Sequence, residues 1–379
     1  MGLEKMKRIA IMLAGGSGER FWPVSRVTRP KQLLPLNSEK TLIEEAVERV
    51  ANFIDTEDIF VFTNQITLEN IRKVLSNLPK ENIISEPMKR NTAPALAFAT
   101  SYILAKYEKN FSPSEIVCGV FTSDQKIEPL SQFQKTVEIA FDYVSKNPKI
   151  ATIGIVPTRP DTAFGYIEID NQQSTGNEFV YKVKAFKEKP DVETAKRYVE
   201  SGNYFWNSGM FFWRVDTFLT ESEKYMPEIF SKIDPIKKIF IEIDCSNIES
   251  KTKEIENIFK TFPDISIDYA LMERTPNIVL VKSLFDWDDI GSWDALDRTK
   301  NHDEYRNVNI GNNILIDTKN SIVYNASQDG RIVVSSVGVQ NLVIVVTDDA
   351  VLVCNKDEVQ KVKSCVEFLK KDPKKQIYL

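Results

Sequence analysis

The first 156 residues constrain the fold most, because short apolar runs alternate there with amphipathic stretches at a regular rhythm. Arg8-Ile9-Ala10-Ile11-Met12-Leu13 reads as a buried strand that ends in a glycine-rich loop. Residues 41–53 follow with Leu42, Ile43, Ala46, Val47 and Val50 at helical spacing. Strands at 59–63, 83–85, 116–121 and 150–156 then alternate with helical patterns at 68–78, 93–107 and 132–144. Such alternation predicts βαβ units around a mostly parallel sheet. The middle is more mixed. Strands are expected at 165–170, 180–186 and 210–214, helices at 191–201 and 216–225, and a charged helical layer over 232–262. After about Leu296 the pattern becomes five short apolar strands, at 313–317, 321–325, 332–336, 342–346 and 350–354, with turn residues between them. An amphipathic helix over 357–371 follows. Two domains are expected, 1–296 and 297–379.

Composition removes several function classes. The 379 residues carry a net charge of −5, against a chain that binds nucleic acid over its whole surface, although a local basic pocket remains open to a phosphate-bearing small molecule. The one histidine, His302, sits in a polar stretch, which argues against Ser-His-Asp hydrolysis and His-rich zinc sites. Cys118, Cys245, Cys354 and Cys365 lie far apart with no CxxC pair and read as reduced, mostly buried thiols. No apolar run approaches the ~20 residues of a membrane span, and Ile9 to Ala14 is too short for a secretory leader. A soluble cytoplasmic protein with no membrane partner is expected.

The loop Leu13-Ala14-Gly15-Gly16-Ser17-Gly18-Glu19-Arg20 directly follows the first strand. It fits neither GxGxxG nor GxxxxGK, so a dinucleotide site or a P-loop would be forced. Its chemistry is still that of an oxyanion cradle: glycines bring backbone N–H groups close, and Arg20 offers a bidentate contact. A tight strand–helix turn is the plain alternative. Arg20, Arg26, Arg29 and Lys31 place four cations near one strand end, and ligands of open α/β sheets bind outside the carboxyl ends of strands.

Gly15-Gly16-Ser17-Gly18-Glu19-Arg20 with Pro30-Lys31-Gln32 resembles the signature of nucleoside-diphosphate-sugar pyrophosphorylases. Phe21-Trp22-Pro23-Val24-Ser25-Arg26 is similar, more narrowly, to the mannose-1-phosphate guanylyltransferases. Further likenesses follow in order. They include the stretch from Glu86-Pro87-Met88 to Thr92-Ala93-Pro94, residues 157–167, Phe186-Lys187-Glu188-Lys189-Pro190, Trp206-Asn207-Ser208-Gly209, Ser266-Ile267-Asp268-Tyr269-Ala270 and Trp287-Asp288-Asp289-Ile290-Gly291-Ser292-Trp293. Two departures stand out. Gln125 follows Asp124 where the family usually has histidine, and Asp288 replaces a residue that is commonly small and polar. The resemblance implies a Rossmann-like α/β nucleotidyltransferase domain, with a mixed, mostly parallel sheet flanked by helices, and a small β-helix-like domain ending in a helix. The chain stops soon after the β-rich region, so the isomerase module fused to some relatives is not expected.

The implied reaction joins GTP and α-D-mannose 1-phosphate into GDP-mannose and pyrophosphate, by in-line attack of the sugar phosphate on the α-phosphorus. A phosphate monoester with a second pKa near ~6 is already largely dianionic at neutral pH, so no general base is needed. The resemblance implies the roles. Ala14 and the Gly15–Gly18 backbone with Arg20 hold phosphates, Lys31 neutralises the α-phosphate, and Asp124 and Asp289 converge on Mg²⁺, one or two ions, with Mn²⁺ as a substitute. Glu86, Asn91 and Thr92 face the base, although Asn91 or Thr92 before Pro94 is also a good helix cap. Gly165, Glu188, Lys189, Asn207, Ser208 and Gly209 face the sugar, and residues 206–209 also read as an ordinary turn before a strand. Asp288 remains a rival to Asp289. A homodimer is implied, because the strand edges of the tail need covering. Two alternatives stay open: another sugar-1-phosphate nucleotidyltransferase, such as a glucose-1-phosphate thymidylyltransferase, or a non-catalytic nucleotide-sugar-binding subunit.

Overall fold

In the computed structural model, residues 6–245 and 251–379 are described. Eleven strands precede the tail: β1 Lys7–Leu13, β2 Ile59–Asn64, β3 Ile83–Glu86, β4 Ile116–Thr122, β5 Lys126–Glu128, β6 Ile150–Ile155, β7 Gly165–Ser174, β8 Val180–Glu188, β9 Tyr204–Arg214, β10 Ile278–Lys282 and β11 Asp286–Asp288. Nine of them form one sheet in the order β3-β2-β1-β4-β9-β6-β10-β8-β7, while β5 and β11 pair as a separate ribbon. β1 pairs in parallel with β2 and β4, β2 with β3, and β6 with β10. β9 runs antiparallel between β4 and β6, and β8 antiparallel to β10. The sheet is therefore mostly parallel, with β8 and β9 reversed.

Alternation along β1 explains the layering. Ile9 and Ile11 point into one apolar core, Ala10 and Met12 into the other, so both faces of the sheet must be covered. On one face lies the helix Thr92–Tyr107, which is apolar nearly all round because a second layer covers it: Phe98 and Tyr102 meet Phe240 of the Ile233–Glu242 helix at 5.3 and 5.1 Å. The other face takes the amphipathic helix Leu42–Ala51, which starts at a capping box between Thr41 and Glu44. The helical pattern expected over 232–262 is met by Ile233–Glu242 and Thr252–Phe259; residues 246–250 within it lie outside those described.

Some expectations need correction. Residues 206–209 are not a turn before a strand: they lie inside β9, where the register against β6 shifts between Thr152 and Gly154. Gly209 has a φ of 75°, so residues 208–210 bulge from the ladder opposite Ile153 while Asn207 stays paired with Gly154. Sequence analysis assigns no strand at β10, although Ile278-Val279-Leu280-Val281 is an apolar run of the same kind as β1. Two of the four cysteines, Cys118 and Cys245, are buried; Cys365 is exposed.

The tail holds β12 Val308–Ile310, β13 Asn313–Ile316, β14 Ile322–Asn325, β15 Val334–Val337, β16 Leu342–Val346 and β17 Val351–Asn355. β12, β14 and β16 stack in parallel on one side and β13 with β15 on another, the coiling expected of a β-helix; β17 turns back antiparallel on β16. The helix Val362–Lys371 closes it. A third apolar core joins the tail to the segment after the glycine loop, with Phe21, Leu34, Ile290 and Trp293 packed against Val308, Tyr324, Val345 and Val362. The fully buried Trp293 donates its indole N–H to the Trp22 carbonyl at 3.1 Å and contacts Phe21 and Tyr324 at 5.1 and 5.2 Å. Trp22 in turn donates to the Tyr378 carbonyl at 2.9 Å, and the Val27 amide to that of Leu379 at 2.9 Å. Arg26 pairs with Asp349 at 2.8 Å, so this member of the cation cluster docks the tail instead of facing a ligand. No described helix is long and apolar enough to cross a membrane.

Because Trp293 lies at the centre of this joint, Trp293→Ala should cost about 3–5 kcal/mol in denaturant unfolding, and Trp293→Phe clearly less. Equal, small losses for both variants would show that the joint does not depend on the indole.

Candidate active site

The carboxyl ends of β1, β3 and β4 open on a cavity of about 480 Å³, and a second cavity of about 660 Å³ adjoins it. Gly16, Gln32, Lys89, Asp124, Gln125 and Asp289 border both. The larger one carries Ser17, Gly18, Arg20 and Lys31; the smaller one carries Glu86, Asn91 and Thr92 at one end and Gly165, Glu188, Asn207, Ser208 and Gly209 at the other.

Local folding explains the lining of the larger cavity. Gly18 has a φ of 62°, and a Cβ there would stand 2.4 Å from the Lys31 Cβ, so only glycine lets the two segments touch. Among the described residues, the backbone N–H groups of Gly15, Gly16, Ser17 and Gly18 meet no acceptor, nor does the Arg20 guanidinium find an ion-pair partner. Lys31 is buried at the start of the turn Lys31–Leu33. Its ammonium donates to Asp124 at 2.9 Å and to the Asp289 carbonyl at 2.6 Å. One buried cation therefore bridges two segments 165 residues apart in sequence. Ala14 lies beneath the loop, its carbonyl accepting from Gln32 and Thr63. Arg29 borders neither cavity.

The two adjacent aspartates differ in their surroundings. Asp288 is held by Arg298 at 2.7 Å and accepts from the Ile290 amide at 2.9 Å, whereas Asp289 borders both cavities. Ile290 has a φ of 44°, a strained conformation for a β-branched residue, held by complete burial of its side chain. Burial pushes the Asp289 carboxyl up to about 6, with Asp288 and Asp124 adding repulsion against the pull of Lys31. The donor set fits a hard divalent cation: two carboxylates face the same space, one of them penalised for carrying charge there. No group of three or more potential His, Cys, Asp or Glu ligands occurs among the described residues, so phosphate oxygens and water would complete the sphere.

At the Glu86 end of the smaller cavity, Asn91 has a φ of 67° and caps the Thr92–Tyr107 helix, its side chain accepting from the Thr92 amide at 3.0 Å. The Thr92 hydroxyl accepts from the Ile267 amide at 2.8 Å. Both residues thus have structural partners while bordering the cavity. Burial pushes Glu86 up to about 8, which makes it a hydroxyl donor as well as an acceptor at neutral pH.

At the other end of that cavity, a Cβ on Gly165 would stand 2.4 Å from a Glu188 oxygen. Lys189 pairs with Glu188 at 2.7 Å and does not border the cavity. Asn207 donates to Asp268 at 3.0 Å and accepts from the Gly209 amide at 3.1 Å. Sequence reasoning misses Asp268, although it lies in one of the matching segments. Burial, then Glu188, pushes its carboxyl up to about 6. Gln125, which stands in place of the usual histidine, gains a role from the structure. Its amide donates to the Ser208 carbonyl at 2.8 Å and accepts from the Trp287 indole at 2.7 Å, so it ties the distorted part of β9 to an aromatic wall of Phe164, Trp206 and Trp287. An imidazole can likewise donate from one nitrogen and accept at the other.

Two outcomes follow. Asp268 binds protons more tightly folded than unfolded, so its contribution to stability should rise as pH falls from about 7 through 6 towards 4. Asp268→Asn should melt above the parent at pH 7.5, with the gap shrinking by pH 5; an unchanged gap would refute the linkage. Gln125→Leu leaves a buried indole N–H and a carbonyl unpaired, so it should cost about 2–4 kcal/mol and shift tryptophan emission, while Gln125→His retains most of both. Equal effects of the two variants would refute the bridging role.

Comparison with known proteins agrees with this geometry. Residues 9–306 match the family described as nucleotidyl transferase, and residues 311–369 the MannoseP isomerase/GMP-like β-helix domain. A mannose-1-phosphate guanylyltransferase of Escherichia coli K12 is 38% identical over 98% of this chain and 75% of its own length. The mannose-1-phosphate guanylyltransferase RfbM of Salmonella typhimurium is 36% identical over 97% of this chain and 73% of its own length. The crystal structure of a Thermus thermophilus protein, described as a mannose-1-phosphate geranyltransferase, superimposes with a TM-score of 0.81 at 29% identity, covering 96% of this chain and 100% of that one. With its site on the glycine loop and its β-helix tail, the chain belongs to the nucleotidyl transferase family and, within it, to the mannose-1-phosphate guanylyltransferases.

Proposed function

We propose that this chain transfers the guanylyl group of GTP to mannose 1-phosphate, giving GDP-mannose and pyrophosphate. The observation that carries the reading is the meeting of Lys31, Asp124 and Asp289 where the two cavities join. That is where a transferring phosphoryl group has to lie if a nucleoside and a sugar share one cavity and a leaving polyphosphate takes the other.

In this reading the Gly15–Gly18 amides and Arg20 hold the β- and γ-phosphates, and Lys31 neutralises charge that builds between nucleophile and leaving group. Lys31, now paired with Asp124, would also face the phosphate oxygens. Asp124 and Asp289 would hold Mg²⁺, which would supply charge stabilisation for the α-phosphate and the leaving pyrophosphate. Glu86, Asn91 and Thr92 read the base, with Glu86 able to donate to a carbonyl acceptor such as guanine O6. Glu188, Asn207 and the Ser208–Gly209 backbone orient the sugar, and Asp268 with Gln125 holds that wall in place. Lys189 acts through Glu188 in this scheme. The same reading places the enzyme in the cytoplasm as a homodimer, consistent with the exposed Val351 and Val353 on the last tail strand.

With Mg²⁺, purified protein should release pyrophosphate from GTP and mannose 1-phosphate, and not from dTTP and glucose 1-phosphate. Asp124→Asn and Asp289→Asn should each lower kcat by about 10²–10³ without loss of fold, whereas Asp288→Asn keeps turnover and loosens only the Arg298 contact. Turnover by both metal-site variants at the parental rate would remove the assignment; preference for dTTP would overturn the base specificity.

A further inference from the structure

The phosphate-side cavity is not built by the catalytic fold alone. Lys363, Glu367 and Lys370 of the Val362–Lys371 helix border it together with Arg20, Lys31 and Asp289. Positions 363, 367 and 370 recur at i, i+4 and i+7, so they share one helix face. Val362 and Val366 on the neighbouring face are buried, with Val362 in the joint, which fixes the helix rotation. The helix and the chain on either side of it are also pinned. Lys370 pairs with Glu19 at 2.5 Å, Gln360 before the helix donates to Ser292 at 2.9 Å, and the Tyr378 carbonyl after it accepts from Trp22.

Lys31 and Lys370 are each neutralised by a carboxylate, Asp124 and Glu19. Arg20, Lys89 and Lys363 also border the cavity, and none of them has an ion-pair partner among the described residues. Three uncompensated cations converge on one space in a chain of net charge −5. Arg20 and Lys89 come from the catalytic fold and Lys363 from the tail, 343 residues after Arg20. Glu367, one turn further along the helix, opposes them and has no ion-pair partner among the described residues either.

We infer that the tail helix completes the polyphosphate channel: Lys363 binds the terminal phosphates of the triphosphate and the departing pyrophosphate, and Glu367 weakens that hold so that product leaves. This rests on the reading given under Proposed function. It assigns the tail a part in binding the inorganic polyphosphate, beyond covering strand edges. Lys363 touches the leaving group only. Its loss should therefore alter affinity for pyrophosphate and GTP and spare mannose 1-phosphate and GDP-mannose.

The test uses the full chain with Mg²⁺ in both directions of the reaction, together with calorimetric titration of pyrophosphate itself. Lys363→Ala should raise the KM for pyrophosphate and for GTP about fivefold, with the GDP-mannose and mannose 1-phosphate values within about twofold of the parent. Lys363→Arg should restore most of the loss, and Glu367→Gln should move the pyrophosphate KM the opposite way. Both positions are exposed, and melting temperatures should stay at the parental value. A pyrophosphate KM unchanged in Lys363→Ala, or a uniform rise in every KM with a fall in melting temperature, would overturn the inference. If the parent turns over no substrate pair, the calorimetric titration still decides: weaker pyrophosphate binding by Lys363→Ala keeps the channel and removes only the reaction, whereas equal binding removes the channel as well.

Discussion

A buried ammonium in water-poor surroundings is costly unless its charge is met, and Lys31 is met from two directions at once. Asp124 reaches it from the end of β4, and the Asp289 carbonyl from the segment after β11. The glycine loop is drawn into the same place, because Gly18 lies against the Lys31 backbone with no room for a side chain. Three distant parts of the chain are thereby held in register at one point. Without the Asp124 carboxylate the ammonium would keep the Asp289 carbonyl but lose its ion pair, so the constraint lies in the cleft more than in the fold as a whole.

The same point explains why the site can do chemistry without a histidine. His302 lies far along the chain, exposed and paired with Asp297 at 2.9 Å. What transfer between phosphates requires is charge arranged beforehand, and the cleft supplies it as free amides, cations without ion-pair partners among the described residues and two carboxylates, of which burial holds Asp289 against ionisation. The strain at Ile290 belongs to this arrangement. Its cost, of order 1–3 kcal/mol, is offset by burying Ile290 in the joint with the tail, so the tail stabilises the backbone that presents Asp289.

Much of this is legible in the sequence, for reasons that differ by element. The βα rhythm announces the sheet because each strand there is short and most of the helices have one apolar face. The glycine loop, Lys31 and Asp124 are legible because each lies at the end of an apolar strand or in a segment dense with Gly and Pro. β10 goes unassigned although its four-residue apolar run matches that of β1 in kind; it is short and follows the polar turn Glu273-Arg274-Thr275-Pro276-Asn277, without a helical pattern directly before it to mark a βαβ unit. The distortion of β9 is not legible either, where Trp206 to Gly209 carry turn residues inside a strand whose register is set by β6. Arg26 misleads for a related reason: it does belong to the cation cluster in sequence, but its partner, Asp349, is 323 residues away. Asp268 and Gln125 share that limit, since their importance lies in contacts with Asn207, Ser208 and Trp287 that sequence spacing does not encode.

The joint between catalytic fold and tail also bears on how the two parts depend on each other. A tail tied only by surface ion pairs would dock weakly, because exposed pairs such as Arg26–Asp349 contribute at most about 1 kcal/mol each. The tie here is apolar at its centre, with Trp293 packed between Phe21 of the glycine-loop segment and Tyr324 of the tail. Phe21 ends the turn that begins at Glu19 and contains Arg20. Displacing the tail would therefore unpack the residue next to Arg20 and release Ile290 next to Asp289. The same movement would disturb a phosphate contact and a carboxylate together, so a catalytic unit cut away from its tail is expected to lose order at the site itself and not merely at a distant surface.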